Sequence, residues 1–223
     1  MRMRVTELVA VIYSAGVVFD GLNTSRPATE RFLRTGETDG VRGRTDLALL
    51  EDLRDGAEVI VEKHEAPLDA ALLVKINGAM TRSAALHPGR LRTDDQGIGV
   101  RTKFGRHEPK ALSMDELDAL VTKAIAHGYT DPERAVFLFL YIAKAQPFED
   151  GNKRTAILAA NRYLIGKGSP WLMVAPHAED DLTVEATFND LLARWYLSEE
   201  SLDCTEILSF MLSNAFVSAP WHA

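Results

Sequence analysis

The residues of this chain best equipped for chemistry are consecutive: Gln146, Pro147, Phe148, Glu149, Asp150, Gly151, Asn152, Lys153 and Arg154. They follow a very apolar segment and precede a helix-compatible one, so the pattern predicts a loop at a helix N-terminus. Such an end presents free backbone N–H groups and a partial positive charge, and together these bind phosphate. Gly151 lets the backbone approach a ligand closely, Lys153 and Arg154 add positive charge, and Asp150 offers an oxygen ligand of the kind magnesium takes. Each residue also has a plainer reading. Asp150 could simply cap the following helix, a position carboxylates favour. Lys153 and Arg154 could be exposed charges, although a bare helix N-terminus favours acids.

The elements that would position this loop are mostly helical. Residues 5–19 fit a short helix ending near Asp20-Gly21, and residues 24–45 read as a polar connection with a helical turn at Ala28 to Leu33. Leu49, Leu50, Leu53, Ala57, Ile60 and Val61 recur at helical spacing between Asp46 and Glu65. Pro67 is placed to begin a helix whose face is Leu68, Leu72, Leu73, Ile76 and Met80. Four glycines interrupt residues 87–110, with Ile98, Val100 and Phe104 at alternate spacing, which predicts a β-hairpin and the only strand structure of the chain. Ser113 and Glu116 form a capping box for a helix to about His127. Asp131-Pro132 reads as N-cap and first helical residue. The run Val136 to Ile142 is apolar all round and predicts a buried central helix, so its aromatics Phe137, Phe139 and Tyr141 read as core. After the loop come a helix from about Asn152 to Lys167, closed by Gly168 and Pro170, and amphipathic helices over 179–196 and 201–215. The fold class is mainly α with one hairpin. The division is an N-terminal helix and connection (1–45), a main domain (46–215) and a tail (216–223).

Composition narrows the function. The chain has 223 residues, 46% of them hydrophobic, enough for one sizeable core. A formal charge of −7 argues against a general binder of nucleic acid or anionic membrane, which needs a broad basic surface. The single cysteine, Cys204, excludes an intramolecular disulfide and zinc sites built on cysteine pairs. Its place beside Leu202 and Ile207 on an amphipathic helix reads as a buried thiol. The six histidines lack paired metal-ligand spacing. A basic N-terminus and a short apolar run faintly resemble a signal peptide, but Glu7 interrupts them, and the expectation is a soluble cytoplasmic protein.

The nine-residue loop resembles the motif of the Fic/Doc family, His-Pro-Phe-x-Asp/Glu-Gly-Asn-Gly/Lys-Arg, and eight of its nine positions match or are permitted. The likeness extends to the apolar helix before it, the helix after it, the segment Pro88 to Val100 as a flap, and Phe188 to Phe210 as closing helices. Members of this family bind ATP with magnesium and transfer AMP, or in some cases other phosphate-containing groups, to a protein hydroxyl; the Doc branch are kinases. The resemblance implies that Asp150 ligates magnesium, that Gly151, Asn152 and Lys153 line an anion hole, and that Arg154 grips the terminal phosphates. It implies that Phe148 anchors the loop in the core. A flap carrying Arg90, Arg92, Ile98 and Val100 would align the target by strand addition. The two arginines would contact phosphate or target, or only solubilise the flap. Lys153 is the Doc-like choice where many AMP transferases have glycine.

Gln146 is the departure. It stands where the family's histidine takes the proton from the attacking hydroxyl, and an amide has no basic site near neutral pH. Loss of a general base costs about two to four powers of ten in rate. His87 and His107 flank the flap and are candidates for a substitute base, with solvated loop histidines as the plainer reading. A second likeness is to the family's inhibitory helix, Ser/Thr-x-x-x-Glu-Gly/Asn, with Asp20-Gly21 in place of Glu-Gly and Gly16 at the Ser/Thr position; it implies an Asp20–Arg154 pair that shields the site. The implied functions are an AMP transferase slowed by Gln146, a nucleotide- or phosphate-binding regulatory module without catalysis, or a Doc-like relative with an antitoxin-like partner. Magnesium with ATP or another nucleotide is the implied ligand, with an unknown protein target and neither nucleic acid nor membrane as partner.

Overall fold

The computed structural model describes residues 3–83, 86–198 and 204–222. A 3-10 turn, Val5–Leu8, leads into α1 (Val9–Asp20), followed by α2 (Arg26–Thr35), α3 (Gly43–Glu62) and α4 (Ala70–Gly78). A hairpin of β1 (Val100–Thr102) and β2 (Gly105–His107) separates these from α5 (Met114–His127), α6 (Asp131–Ala145) and α7 (Asn152–Gly166). Then come β3 (Trp171–Met173), α8 (Leu182–Leu197), α9 (Thr205–Asn214) and β4 (Phe216–Ser218), with a last 3-10 turn at Pro220–His222.

The centre is the pair α6 and α7. Every residue from Ala135 to Ala143 is buried, as the all-round apolar run requires, and every residue of α7 except Lys153 and Gly166 is buried too. The helices α5, α8 and α9 cover α6, while α1, α3 and α4 pack on α7. Leu8, Val11, Ile12 and Ala15 of the N-terminal segment are fully buried and share one core with the rest.

A helix buried on all sides must satisfy its polar side chains inside the protein. Asn161 of α7 donates to the carbonyls of Ile157 and Met173 at 2.9 and 2.8 Å, and accepts from the Met173 N–H at 2.9 Å. It thereby ties β3 to the helix. Arg162 donates to the carbonyls of Lys63 and Ala66, fixing the chain that leaves α3.

Several boundaries depart from the sequence pattern. The stretch 24–45 holds a ten-residue helix, α2, rather than one turn; Pro27 sits in its first turn, Ala28, Thr29, Phe32 and Leu33 are buried, and Gly36 closes it at φ 76°. Its apolar stripe spans too few turns to stand out by periodicity. The helix after Pro67 starts at Ala70, because the Asp69 side chain accepts from the Leu72 N–H and so caps it. Thr130, not Asp131, caps α6, in a box with Glu133. The hairpin is not the only strand structure: β3 and β4, distant in sequence, pair antiparallel, Trp171 opposite Ser218 and Met173 opposite Phe216. These two strands have three residues each and lie far apart in sequence, so neither alternation nor a turn signal marks them. The expected start of the last helix at 201, and Leu202, lie outside the described residues, and Cys204 is half-buried at the start of α9. No helix among the described residues is long and apolar enough to cross a membrane.

Replacing Asn161 with alanine leaves both polar groups of Met173 without a partner in a dry site. Asn161→Ala is expected to lose about 2–4 kcal/mol of stability, measured by urea unfolding. A loss below about 0.5 kcal/mol would show that β3 does not depend on this contact.

Candidate functional site

The loop 146–151 joins two buried helices, and its first half, 146–148, is buried with them, so the backbone there cannot rely on water. Gln146 ends α6 in the left-handed region at φ 47°, the single non-glycine residue with positive φ among those described. This turn lets its N–H bond back to Ile142 and directs its carbonyl to the Arg92 Nε, 2.6 Å away. The Arg92 N–H donates to the Pro147 carbonyl, and Leu91 bridges to Phe148. Asn152 closes the other side. Its Oδ1 accepts from the Phe148 N–H at 2.9 Å, and its Nδ2 donates to the Phe148 carbonyl at 2.9 Å and to the Gln146 Oε1 at 3.1 Å. Asn77 of α4 donates to the Asp150 carbonyl and to Thr155, and accepts from the Gly89 N–H. Gly151 has φ 71°, and a Cβ there would lie 3.1 Å from the Asn77 Nδ2, so glycine suits both the turn and the contact.

Gln146 is only 7% exposed. Its Nε2 donates to the Ala143 carbonyl at 2.5 Å while its Oε1 accepts from Asn152. One N–H and one lone pair remain for a ligand, enough to orient a hydroxyl but not to take its proton.

Beyond the loop lies the N-terminus of α7. The N–H groups of Asn152, Lys153 and Arg154 have no bond among the described residues, as expected for a first turn. Arg154 is 2% exposed and its Nη1 donates to the Ser83 Oγ at 2.8 Å. Three carboxylates surround the same guanidinium: Asp20 at 3.4 Å, Asp150 at 3.6 Å and the fully buried Asp52 at 4.0 Å. Asp52 is held by the N–H groups of Arg82 and Ser83 and by the Ser83 hydroxyl. Burial pushes the Asp20 carboxyl above its ordinary pKa, outweighing the pull of Arg154 and Lys153. Burial lowers the Lys153 pKa, against the opposing effect of Asp20, and its ammonium lies 5.0 Å from the centre of the Phe19 ring.

These groups border a cleft of about 520 Å³ between the loop, the end of α1, the flap and α8. Lys103 of the flap pairs with Asp190 of α8 at 2.6 Å, and His107 stacks on Tyr196, so flap and α8 form one continuous wall. Of the residues singled out from the sequence, Asp20, Ile98, Val100, Gln146, Asp150, Gly151, Asn152, Lys153 and Arg154 converge here. Phe148 is buried beneath the loop.

Three expectations need correction. Arg92 is neither a target contact nor a solubilising charge: it is 3% exposed and donates to the carbonyls of Gln146, Pro109 and Lys110. The hairpin proper spans 100–107, and residues 94–96 form a 3-10 turn, so exposed Arg90 precedes the strands and is not among the residues lining the cleft. His107 is no solvated loop residue; its Nε2 lies 2.6 Å from the Lys144 carbonyl, and burial lowers its pKa. His87 is exposed and bonds Glu149 at 3.0 Å. Neither histidine is among the residues lining the cleft. The sequence reading missed Asn77, Asp52, Ser83 and Tyr196. Asn77 and Asp52 did carry a signal, a polar residue inside an apolar helix face, as beside Leu73 and Ile76 or between Leu49 and Leu53.

Among the described residues no three His, Cys, Asp or Glu side chains converge as a metal cage. Asp150 alone offers a half-exposed carboxylate beside the loop, one oxygen accepting from the Gly151 N–H. That suits magnesium carried by a phosphate ligand, since this ion takes one or two carboxylates and completes its shell with phosphate oxygens and water.

Residues 67–164 match the model of the Fic/DOC family, a stretch that runs from before α4 into the last turn of α7. Solved structures give the same fold. A Fic domain containing signaling protein from Bacteroides thetaiotaomicron superimposes with a TM-score of 0.64 at 20% identity, over 92% of this chain and 80% of that one. A Fic-1 fragment from C. elegans does so with a TM-score of 0.68 at 16% identity, over 95% of this chain and 63% of that one. No curated protein sequence matches the chain. The protein has a Fic fold: a mainly helical body with small antiparallel sheets.

The raised pKa of Asp20 has a testable sign. For such a group, the stability contribution is present below the ordinary carboxylate pKa of about 3.9 and is lost as pH rises through the raised value. Asp20→Asn stays neutral, so it is expected to melt above wild type at pH 7 and level with it near pH ~3. A lower Tm at pH 7 would show that the ion pair with Arg154 outweighs burial.

Proposed function

We propose that this chain binds a magnesium–nucleoside triphosphate at loop 146–154 and that its transfer of AMP to a protein hydroxyl is slow, because Gln146 cannot accept the proton. The observation that carries this reading is the contrast within one loop. The parts that would hold phosphate are fixed in place: N–H groups at 152–154 without a partner among the described residues, the left-handed Gly151, and the buried Arg154. The residue at the proton-accepting position is an amide already bonded to Ala143 and Asn152.

In the proposed reaction the target oxygen attacks the α-phosphorus, the bond to the bridging oxygen breaks, and pyrophosphate leaves. The hydroxyl proton goes to solvent or to a phosphate oxygen. Magnesium, when bound, neutralises phosphate charge. Gln146 orients the incoming hydroxyl, and the first turn of α7 with Arg154 holds the anion. The edge of β1, which with its flanking residues 98, 99 and 103 borders the cleft, gives the target backbone a strand to pair with. Asp20 competes with a terminal phosphate for Arg154, so α1 restrains nucleotide binding.

Calorimetry with magnesium–ATP and intact-mass analysis of the protein and lysate proteins test this reading on three forms. Wild type is expected to bind and to modify little. Gln146→His is expected to bind alike and modify about 100- to 10,000-fold faster. Asp20→Asn is expected to bind about three- to tenfold tighter, because one competing ion pair is gone. Absence of binding by every form would overturn the proposal, and fast modification by wild type would overturn the role given to Gln146.

A further inference from the structure

Arg90 and Arg92 are not among the residues lining the cleft, but Arg101, in the middle of β1, is. It is exposed, and it differs from every other charged residue there. Asp20 and Asp150 pair with Arg154, Asp190 pairs with Lys103, Glu149 bonds His87, and the Lys153 ammonium lies over the Phe19 ring. Among the described residues the Arg101 side chain makes no ion pair, hydrogen bond or ring contact. The hairpin register adds a cost. Arg101 stands directly opposite Arg106, which is also exposed. Like charges at opposed positions of two strands repel. Arg106 is offset by Glu108, 3.2 Å away, and donates to the Gly97 carbonyl at 2.9 Å. Arg101 has no such offset, so an uncharged residue would suit the hairpin better.

β1 is an edge strand: β2 covers one side, and no other strand of the described residues pairs with it. Residues directly opposite each other on neighbouring strands share a face, so a peptide paired with β1 brings one side chain beside the Arg101 guanidinium. A carboxylate there meets a fork of donors that matches it, and it removes the repulsion across the hairpin. Phosphate is the other anion the cleft would take, but the groups suited to it, the N–H groups at 152–154 and Arg154, stand at the first turn of α7 and not on the flap. We propose that Arg101 is a specificity-determining residue that selects target segments with an aspartate or glutamate opposite it, close to the modified hydroxyl. This deepens the proposed role of β1 as the strand a target pairs with, and rests on it.

Fluorescence anisotropy with labelled peptides tests this on wild type and Arg101→Glu. The peptides share a central threonine between valines, flanked on both sides by aspartate, asparagine or lysine. Wild type is expected to bind the aspartate peptide about three- to tenfold more tightly than the lysine peptide, with the asparagine peptide between them. Arg101→Glu is expected to reverse that order, which loss of a merely structural arginine would not do. It is also expected to melt no lower than wild type, because a glutamate now faces Arg106. Equal affinities, no measurable binding of any peptide, or the same order in both forms would overturn the role of Arg101. A lower Tm would show that Arg101 supports the hairpin and would overturn it too. A loss of magnesium–tripolyphosphate affinity of more than about threefold in Arg101→Gln, read by calorimetry, would assign the arginine to phosphate instead. Failure of wild type to bind magnesium–ATP would overturn the nucleotide reading alone, because the peptide preference is measured without nucleotide.

Discussion

The constraint on which the structure turns is that six residues, 146–151, must connect two helices that are both buried in the core. The stretch 146–148 is buried, so its backbone has little water to satisfy it. Arg92 takes up carbonyls of the loop and of the nearby chain, Asn152 holds both polar groups of Phe148, and Asn77 holds the Asp150 carbonyl. The loop is thereby fixed from α4, from the segment before the flap and from its own helix. What these contacts leave open is the first turn of α7, and that is where an anion can bind. The left-handed geometry of Gln146 belongs to the same constraint, since it turns the chain at the end of α6 and presents its carbonyl to Arg92.

Electrostatics reinforces the geometry. Arg154 is buried, so its charge needs partners, and Asp20, Asp52, Asp150 and Ser83 supply them from four separate places in the chain. Asp52 cannot move away, being wholly buried and held by backbone N–H groups. Asp20 and Asp150 lie toward the cleft and are the partners that a phosphate can replace without leaving a buried charge alone. The same end of α1 places Phe19 against the Lys153 ammonium, so the N-terminal helix meets both cations of the loop. Its apolar face is part of the common core. Packing therefore sets the position of Asp20 as much as the ion pair does.

Much of this was legible in the sequence. The central helix announced itself by a run apolar on every side, the capping box at Ser113 fixed the start of α5, and the loop composition implied a turn at the N-terminus of α7. The Asp20–Arg154 contact also followed from a resemblance, down to the two residues. Local patterns could not supply long-range partnerships. Arg92 lies in a glycine-punctuated stretch that reads as exposed, yet contacts with chain more than fifty residues away turn it inward. The β3–β4 pairing joins strands of three residues separated by two helices, so nothing local encodes it. Tyr196 looked like an ordinary core aromatic of an amphipathic helix, and only its missing hydrogen bond in the folded protein sets it apart.

The most direct measurement is a crystal structure of the protein with magnesium and a non-hydrolysable ATP analogue. The expected result has phosphate oxygens on the N–H groups of Asn152, Lys153 and Arg154, the metal on Asp150, and Arg154 released from Asp20 to the terminal phosphate, with the Gln146 amide in place. A nucleotide bound elsewhere, with the Asp20–Arg154 contact intact and the first turn of α7 untouched, would contradict the assignment of this loop.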